Sequence, residues 1–314
     1  MVAPIALFAF NRPTLLKQTL QFLAANELAS ESNLTIFCDG PRNEEEKALT
    51  DAVRAIAGAA TGFLSLEVIS SDCNRGCAGS VISGLDHMFA RHETLIVMED
   101  DFLCSPYTLY FLNDSLEYYK NEPVVFNIAA WSPPINALSI PAAYPYDAYF
   151  IPRFNSGIWA SWRNRYEMVD WKVEDYEEFI KTPCLQEAFN RGGGDLASML
   201  CTQMEGNGKI DSWAIRMAYA SFKHGCLGLN PVFTHAVHIG VHSGTHYTNP
   251  DAVVTDNIDL ARPVLRLPSC IFTNRQIVES YSNYYQRPSC PDKFADLRKG
   301  IRLAMRQKMQ ARRP

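Results

Sequence analysis

The stretch Thr94–Phe102, TLIVMEDDF, places three acidic residues directly after an apolar run. The apolar run is short and reads as a buried strand. Glu99, Asp100 and Asp101 follow at the point where that strand ends. Adjacent carboxylates repel one another unless a positive group compensates them. This segment therefore predicts a buried strand and a charged site at its carboxyl end.

Three more strands are predicted on the amino-terminal side of this one, and a helix follows each of them. The predicted strands cover residues 4–10, 34–40, 63–71 and 94–98, and the helices cover 12–26, 43–60 and 74–91. The helices are recognised by apolar residues at helical spacing, by a proline in the first turn of the first helix, and by acids in the first turn of the second. This alternation predicts an α/β fold with an open, mainly parallel central sheet covered by helices on both faces.

Polar groups follow all four predicted strands. Arg12 comes after the first, Asp39 after the second and Arg75 after the third, and the three acids come after the fourth. In open α/β sheets the ligand crevice lies outside the carboxyl ends of the strands. The sequence therefore predicts that these residues line one ligand site.

Composition narrows the class of protein. The 314-residue chain has a formal net charge of -5, which argues against a nucleic-acid binder because such proteins need basic groups to neutralise phosphates. Its nine cysteines lack paired spacing and are expected to be reduced thiols in a cytoplasmic protein. The N-terminal apolar run fits a strand better than a signal peptide, and no segment reaches the roughly 18 to 20 apolar residues of a membrane-spanning helix.

The acidic triplet predicts a divalent cation, Mn²⁺ or Mg²⁺. Sites for these ions take one or two carboxylates and complete their coordination with water and the phosphates of a substrate. The alternative is a solvated turn before a helix, where acids are favoured by the helix dipole. The position at a strand end favours the metal.

Several blocks of the sequence resemble glycosyltransferases of the GT-A, Rossmann-like fold. The blocks are FNRP, CDG and VMEDDFLCSPYTLYFL in the first half, then FNIAAW, RFNSGIWASWR, KIDSWAIR and a late histidine-rich strand, over about residues 4–246. In their order they are similar to the animal N-acetylglucosaminyltransferases that initiate complex N-glycans, and to related bacterial sugar transferases. The resemblance implies a nucleotide-sugar donor and a metal held by an Asp-x-Asp (DXD)-type acidic motif.

For the donor side, the resemblance implies a role for each strand-end residue. Arg12 and Asp39 would frame the nucleotide, with Asp39 accepting from the uracil ring or the ribose. Glu99 and Asp100 would contact the donor sugar and ribose, and Asp101 would bind the metal ion directly. By its position before a helix, Arg75 could contact a phosphate.

For the sugar pocket and the metal, the resemblance implies further residues. Trp131, Gly157 and Trp159 would line the sugar pocket. A late histidine sometimes completes the metal site in such enzymes, which makes His246 the first choice and His242 the second, although a lone imidazole more often satisfies local hydrogen bonds.

For the chemistry, Asp211 matches the position of the catalytic base. The alternative is that Asp211 is the N-cap of the helix that starts at Ser212, a role that Asp often fills. The competing bases in the same half are Asp170, Asp195 and Glu205.

Together these points predict a metal-dependent, inverting glycosyltransferase that moves a sugar from a UDP-sugar to a glycan or lipid-linked acceptor in polysaccharide biosynthesis. The predicted parts are a nucleotide-sugar-binding half (1–125), an acceptor and catalytic half (126–250) and an extension (251–314). A basic amphipathic helix in the extension could contact the inner face of an anionic membrane or remain solvated. The alternatives are a nucleotidyltransferase, which would need glycines after strand one, and a non-catalytic carbohydrate-binding protein.

Overall fold

The computed structural model describes residues 2–206, 211–240 and 265–285. Within these ranges the strands are β1 (Ile5–Ala9), β2 (Asn33–Cys38), β3 (Ser65–Ser70), β4 (Thr94–Glu99), β5 (Phe102–Cys104), β6 (Val125–Ala129), β7 (Ala148–Ile151), β8 (Ile158–Trp162), β9 (Leu227–Pro231) and β10 (Ala236–His238). The α-helices are α1 (Pro13–Ala24), α2 (Glu44–Gly58), α3 (Gly76–Phe89), α4 (Thr108–Tyr118), α5 (Arg163–Tyr166), α6 (Tyr176–Lys181), α7 (Pro183–Phe189), α8 (Leu196–Met204), α9 (Trp213–Lys223) and α10 (Arg275–Tyr284).

Eight strands form one sheet in the order β3-β2-β1-β4-β8-β6-β9-β7. The strands β1 to β4 are mutually parallel, and β6 and β9 run in the same direction, whereas β8 and β7 are antiparallel to their neighbours. The predicted mainly parallel α/β sheet is thus confirmed, as are the four strands and three helices predicted in its first part. The predicted halves contribute strands to one continuous sheet, and the boundary at residue 125 stays a prediction.

The strand β1 shows why its sequence is apolar throughout. Ile5, Leu7 and Ala9 belong to the core beneath α1, α2 and α4, and Ala6 and Phe8 belong to the core beneath α3 and α9 on the opposite face. Because helices cover both faces, no position of this strand is available for a polar side chain. The polar residues that follow β1 are therefore placed at the edge of the sheet.

The helix boundaries agree with the chemistry of their first turns. Pro13 starts α1, where a missing N–H costs nothing. Asn43 caps α2 by accepting a hydrogen bond from the Glu46 N–H at 3.0 Å, and acids fill the first turn. These caps fix where the strand-end loops stop and the helices begin.

A two-stranded ribbon lies beyond the carboxyl end of β4. Antiparallel pairing of β5 with β10 places Phe102 opposite His238. The ribbon therefore brings the segment after the acidic triplet next to the histidine-rich segment.

Some predicted features fall on residues that the structure does not describe. His242, His246 and the basic segment near the C-terminus all lie outside the described ranges. Among the described residues, none of the helices is long and apolar enough to cross a bilayer.

Candidate active site

The acids that follow β4 meet the arginine that follows β1. The Arg12 Nη1 donates to Asp101 Oδ2 at 2.6 Å, and its Nη2 donates to Asp100 Oδ1. Asp100 and Asp101 are both buried, whereas about a quarter of the Arg12 side chain, 26%, is exposed. Thr19 in α1 donates to the Asp100 backbone carbonyl at 2.9 Å and so ties the turn to this helix. The predicted convergence of these strand ends is present, with the guanidinium bridging the two aspartates.

A histidine that the sequence analysis did not select lies beside Asp101. The His238 Nε2 is 3.1 Å from Asp101 Oδ2, and the Ile239 N–H donates to the Asp101 carbonyl at 2.8 Å. The cause is the ribbon register that pairs β10 with β5. Gly240 follows closely, and a side chain there would collide with the Asp101 carboxylate. The only sequence signal was the position of His238 at the end of a short apolar run in the histidine-rich block.

The pKa values of the three acids are shifted in different directions. Burial, then the charge of Asp101, raises the pKa of Glu99 to about 7, and burial raises the pKa of Asp100 to about 6. Burial acts in the same direction on Asp101, but the His238 hydrogen bond and the Arg12 charge outweigh it, so the pKa of Asp101 is lowered. Asp101 is therefore the member of the triplet that the surroundings favour as an anion.

One oxygen of that anion lacks a partner. Asp101 Oδ1 is buried and makes no hydrogen bond, which is costly for a charged group. Over residues 2–206, 211–240 and 265–285, the structure contains no group of three or more His, Cys, Asp or Glu side chains that could hold a metal ion by itself. A single carboxylate with a histidine beside it fits a Mn²⁺ or Mg²⁺ ion that completes its shell with water and phosphate. The residues present therefore fit the predicted ion.

Gly157 contacts the acidic triplet through its backbone. Its N–H donates to Glu99 Oε1 at 2.9 Å, and its carbonyl accepts from the Glu99 N–H at 2.9 Å. The residue has φ +95°, and a Cβ there would collide with the ring of Phe102. Gly157 is thus the backbone neighbour of Glu99, and its predicted place in the sugar pocket stays a prediction.

We expect Gly157→Ala to lower the free energy of unfolding by about 2 kcal/mol or more. The left-handed φ is costly for a residue with a Cβ, and the collision with Phe102 adds to that cost. Urea denaturation measures the effect. The matched control is Gly58→Ala at the end of α2, where a Cβ meets nothing within 4 Å and stability should be unchanged or slightly higher. Equal stability of the two variants would contradict the prediction.

Asp39, at the end of β2, holds a loop. Its Oδ1 accepts from the Gly40 N–H at 2.9 Å and from the Arg75 N–H at 3.0 Å, and its Oδ2 accepts from Asn74 Nδ2 at 3.0 Å. Burial raises the pKa of Asp39 against the opposing effect of the backbone hydrogen bonds from Arg75 and Gly40. The described contacts of Asp39 therefore serve the loop before α3, and its predicted contact with a nucleotide stays a prediction.

We expect Asp39→Asn to reduce the free energy of unfolding by about 1 to 3 kcal/mol. The substitution removes charge-assisted hydrogen bonds from a buried site and places an NH₂ group opposite existing donors. Chemical denaturation provides the measurement. Asp72→Asn makes the same charge change at an exposed position of the same loop and should stay within about 0.5 kcal/mol of wild type. A similar loss in both variants would count against the buried role of Asp39.

Asp211 directly precedes the N-cap of α9, but its carboxylate binds the start of α3. Its Oδ2 accepts from the Ala78 N–H at 3.1 Å, whereas the cap of α9 is Ser212, whose hydroxyl accepts from the Ile215 N–H at 3.3 Å. The alternative interpretation of Asp211 as the cap of α9 is therefore wrong. Asp211 is an exposed residue, so a solvent-side group can reach it.

The thiol of Cys77, in the first turn of α3, is influenced by both Asp211 and the acidic triplet. Cys77 is an exposed residue, but partial desolvation of its thiol, then the negative charges of Glu99 and Asp211, raises the pKa of Cys77 to about 12. Both carboxylates thus act electrostatically on one group at the start of α3.

The three competing bases lie in other surroundings. Asp195 forms a two-pronged ion pair with the buried Arg153, with distances of 2.8 and 2.9 Å. Asp170 accepts from the backbone N–H groups of two residues in a surface turn, and Glu205 follows the last turn of α8. The Asp195 and Asp170 carboxylates are thus occupied by structural contacts.

The remaining predicted site residues differ in their exposure to solvent. Trp159 is 0% exposed and stacks on Trp213 at 5.8 Å between ring centroids, so it belongs to the core behind the site and offers no face to a ligand. Trp131 is half-buried and packs near Tyr284 and Tyr285 at 6.1 and 6.5 Å. Arg75 is exposed, and its guanidinium donates to serine hydroxyls on its own loop and helix.

Comparison with known proteins gives matches at the level of structure. No family model and no curated protein matches the sequence. The mannosyltransferase PcManGT from Pyrobaculum calidifontis, in complex with GDP-Man and Mn²⁺, matches 52% of this chain and 46% of its own at 18% identity and a TM-score of 0.38. S. aureus TarS 1-349 matches 55% of this chain and 49% of its own at 11% identity and a TM-score of 0.35.

A third structure matches over a longer range. The galactosyltransferase LgtC, in complex with donor and acceptor sugar analogs, covers 93% of this chain and 99% of its own at 10% identity and a TM-score of 0.37. This chain spans about half the length of the first two structures. Because all three TM-scores lie below 0.5, the function of this chain has to be argued from the residues of its own site.

Proposed function

We propose that this protein is a metal-dependent, inverting glycosyltransferase that moves a sugar from a UDP-sugar to a hydroxyl of a glycan or lipid-linked acceptor. The observation that carries the proposal is the presence of two kinds of group at the carboxyl ends of the parallel strands. A cluster of Arg12, Asp101 and His238 lies at the ends of β1 and β4, and the exposed carboxylate of Asp211 lies on the first turn of α3, which follows the end of β3. A nucleotide-sugar transferase needs both, one to hold the diphosphate and one to take a proton.

The cluster has the charges that a diphosphate leaving group requires. Arg12 is a fixed positive charge that remains partly exposed at the edge of the sheet. Asp101, with its unpaired Oδ1, and His238 beside it are the groups that would hold Mn²⁺ or Mg²⁺. When bound, such an ion supplies Lewis-acid neutralisation of the charge that develops on the pyrophosphate.

Asp211 supplies the base in this proposal. Its carboxylate takes the proton from the acceptor hydroxyl while the acceptor oxygen forms a bond to the anomeric carbon of the donor sugar. The bond between that carbon and the phosphate oxygen breaks, and UDP leaves with the electron pair. A single displacement with one base inverts the configuration at the anomeric carbon, by the geometric logic that separates inverting from retaining glycosidases.

The helix start contributes to the orientation of this base. The Ala78 N–H donates to one oxygen of Asp211 and so holds the carboxylate in place. The proposal includes contact of the basic C-terminal segment with an anionic membrane, because this contact would bring the protein to a lipid-linked acceptor.

Titration of UDP into the protein with and without Mn²⁺ tests this function, together with a hydrolysis screen of UDP-, GDP- and dTDP-sugars. We expect metal-dependent UDP binding and slow hydrolysis of a UDP-sugar, with water as the acceptor. A nucleotidyltransferase would instead release pyrophosphate from a nucleoside triphosphate. A non-catalytic carbohydrate-binding protein would bind glycans without hydrolysing any donor. UDP binding that does not respond to Mn²⁺ would overturn the metal-dependent proposal.

A further inference from the structure

Helix α3 starts without a capping side chain of its own. The N-cap residue is Arg75, whose side chain has no acceptor atom, and it makes no capping hydrogen bond. The first N–H groups of a helix have no partner within the helix and need an acceptor from elsewhere. In α3 one of them, the Ala78 N–H, finds that acceptor in Asp211, which lies 133 residues further along the chain. The cap of this helix is thus provided by the proposed base.

The approach of Asp211 to the helix requires a residue without a side chain at the first helical position. Gly76 has φ +75°, and a Cβ added there would lie 3.0 Å from Asp211 Oδ2. That distance is shorter than ordinary van der Waals contact, and the left-handed φ adds strain for any other residue. By contrast, a Cβ at Gly79 would lie 3.6 Å from the Arg75 Cβ, an ordinary contact on the same helix. Among the glycines of α3, a contact with Asp211 therefore arises at position 76, whereas a Cβ at Gly84 would meet Phe8 in the core.

The loop before the helix cannot readily shift to relieve such a contact. The Gly76 N–H donates to Asn74 Oδ1 at 3.2 Å, the Arg75 N–H donates to Asp39 Oδ1 at 3.0 Å, and Asn74 itself donates to Asp39. Asp39 is buried at the end of β2. Three consecutive residues of the loop are in this way fixed to the central sheet, so an added side chain at position 76 would act on Asp211.

We propose that Gly76 is a positioning residue for Asp211, because its missing side chain and left-handed backbone let the carboxylate dock on the Ala78 N–H in one orientation. The inference rests on the proposed function in so far as Asp211 is the base. The contact itself is independent of any substrate. In this arrangement the loop that Asp39 holds on the donor side sets the position of the group that acts on the acceptor.

Hydrogen exchange of the Ala78 amide tests the contact in the full-length protein without a ligand. We expect exchange to be at least about 10-fold faster in Asp211→Ala and in Gly76→Ala, since a first-turn amide has no partner within its helix and the bond to Asp211 is the acceptor that the structure shows for it. Gly79→Ala should leave it at the wild-type rate. Asp211→Ala leaves the glycine backbone unaltered, so it tests the hydrogen bond between Asp211 and the Ala78 N–H even if Gly76→Ala folds poorly. Wild-type exchange in Asp211→Ala would overturn the proposal.

A double-mutant cycle on UDP-sugar hydrolysis tests the catalytic consequence. We expect Gly76→Ala to lower the rate by about 10- to 100-fold with the Kd for UDP and Mn²⁺ unchanged, since misplacing a reacting group by an ångström has effects of that size. In the Asp211→Asn background the same substitution should have no further effect. Gly79→Ala should retain the wild-type rate.

The outcomes separate the positioning role from the proposed function. An equal loss from Gly76→Ala in both backgrounds would indicate a general structural defect and overturn the positioning role. If Asp211→Asn hydrolyses the donor slowly and Gly76→Ala hydrolyses it at the wild-type rate, the positioning role of Gly76 is overturned and the base assignment stands. A wild-type rate in Asp211→Asn would overturn the base assignment and this inference together.

Discussion

Asp211→Asn should lower the rate of sugar transfer by about 100-fold or more while leaving the affinity for UDP and Mn²⁺ nearly unchanged. A general base acts on the acceptor proton and stabilises the transition state, so its loss affects turnover and leaves donor binding intact. Asparagine keeps an oxygen that can accept the Ala78 N–H, so α3 keeps its cap and the substitution tests the charge alone. Initial rates of UDP release and calorimetric titration of UDP provide the two measurements.

Controls for this prediction come from the other acids of the same half. Asp170→Asn changes the same charge in a surface turn and should keep the wild-type rate, because its carboxylate serves the backbone of that turn. If Asp211→Asn transfers sugar at the wild-type rate, the carboxylate only caps α3. The base would then have to be sought among Asp195, Glu205 and Asp170 by measuring the transfer rate after replacing each of them in turn.

Asp101→Ala should abolish the part of UDP binding that depends on Mn²⁺, a loss of at least about 100-fold in affinity. Compensation of pyrophosphate charge by a bound ion contributes several kcal/mol, and each 1.4 kcal/mol corresponds to about a factor of ten. Asp101 carries the buried oxygen without a partner and is the acid of the triplet whose pKa is lowered. Titration of UDP at a series of Mn²⁺ concentrations measures the loss.

Two comparisons keep this result interpretable. Asp101 also holds Arg12 and His238, so thermal unfolding of Asp101→Ala and of the size-matched Asp101→Asn must show that both variants fold. Asp114→Asn removes an exposed acid from α4 and should bind UDP and Mn²⁺ as wild type does. Metal-dependent binding that survives in both Asp101 variants would contradict the assignment of Asp101 as the direct ligand.

Local sequence patterns were sufficient to predict the strands and helices of the amino-terminal half of the fold. The apolar runs of β1 to β4 are buried on both faces, and the helices between them show their spacing, their proline and their acidic first turns in the sequence. Once these strands are known to be parallel, their carboxyl ends must share one edge of the sheet. The meeting of Arg12 with Asp100 and Asp101 follows from that geometry, which is why this contact could be predicted.

The α/β class, the parallel strands β1 to β4 and the acidic edge could be read from the sequence, because they depend on residues close together in the chain. The distant residues that join that edge are known from the folded structure. The register of β10 on β5 brings His238 to Asp101, the burial of β8 between β4 and β6 turns Trp159 into a core residue, and the capping of α3 places Asp211. Strand pairing and a cap from elsewhere in the chain join groups more than a hundred residues apart, and no local periodicity of the sequence indicates which partner will be chosen.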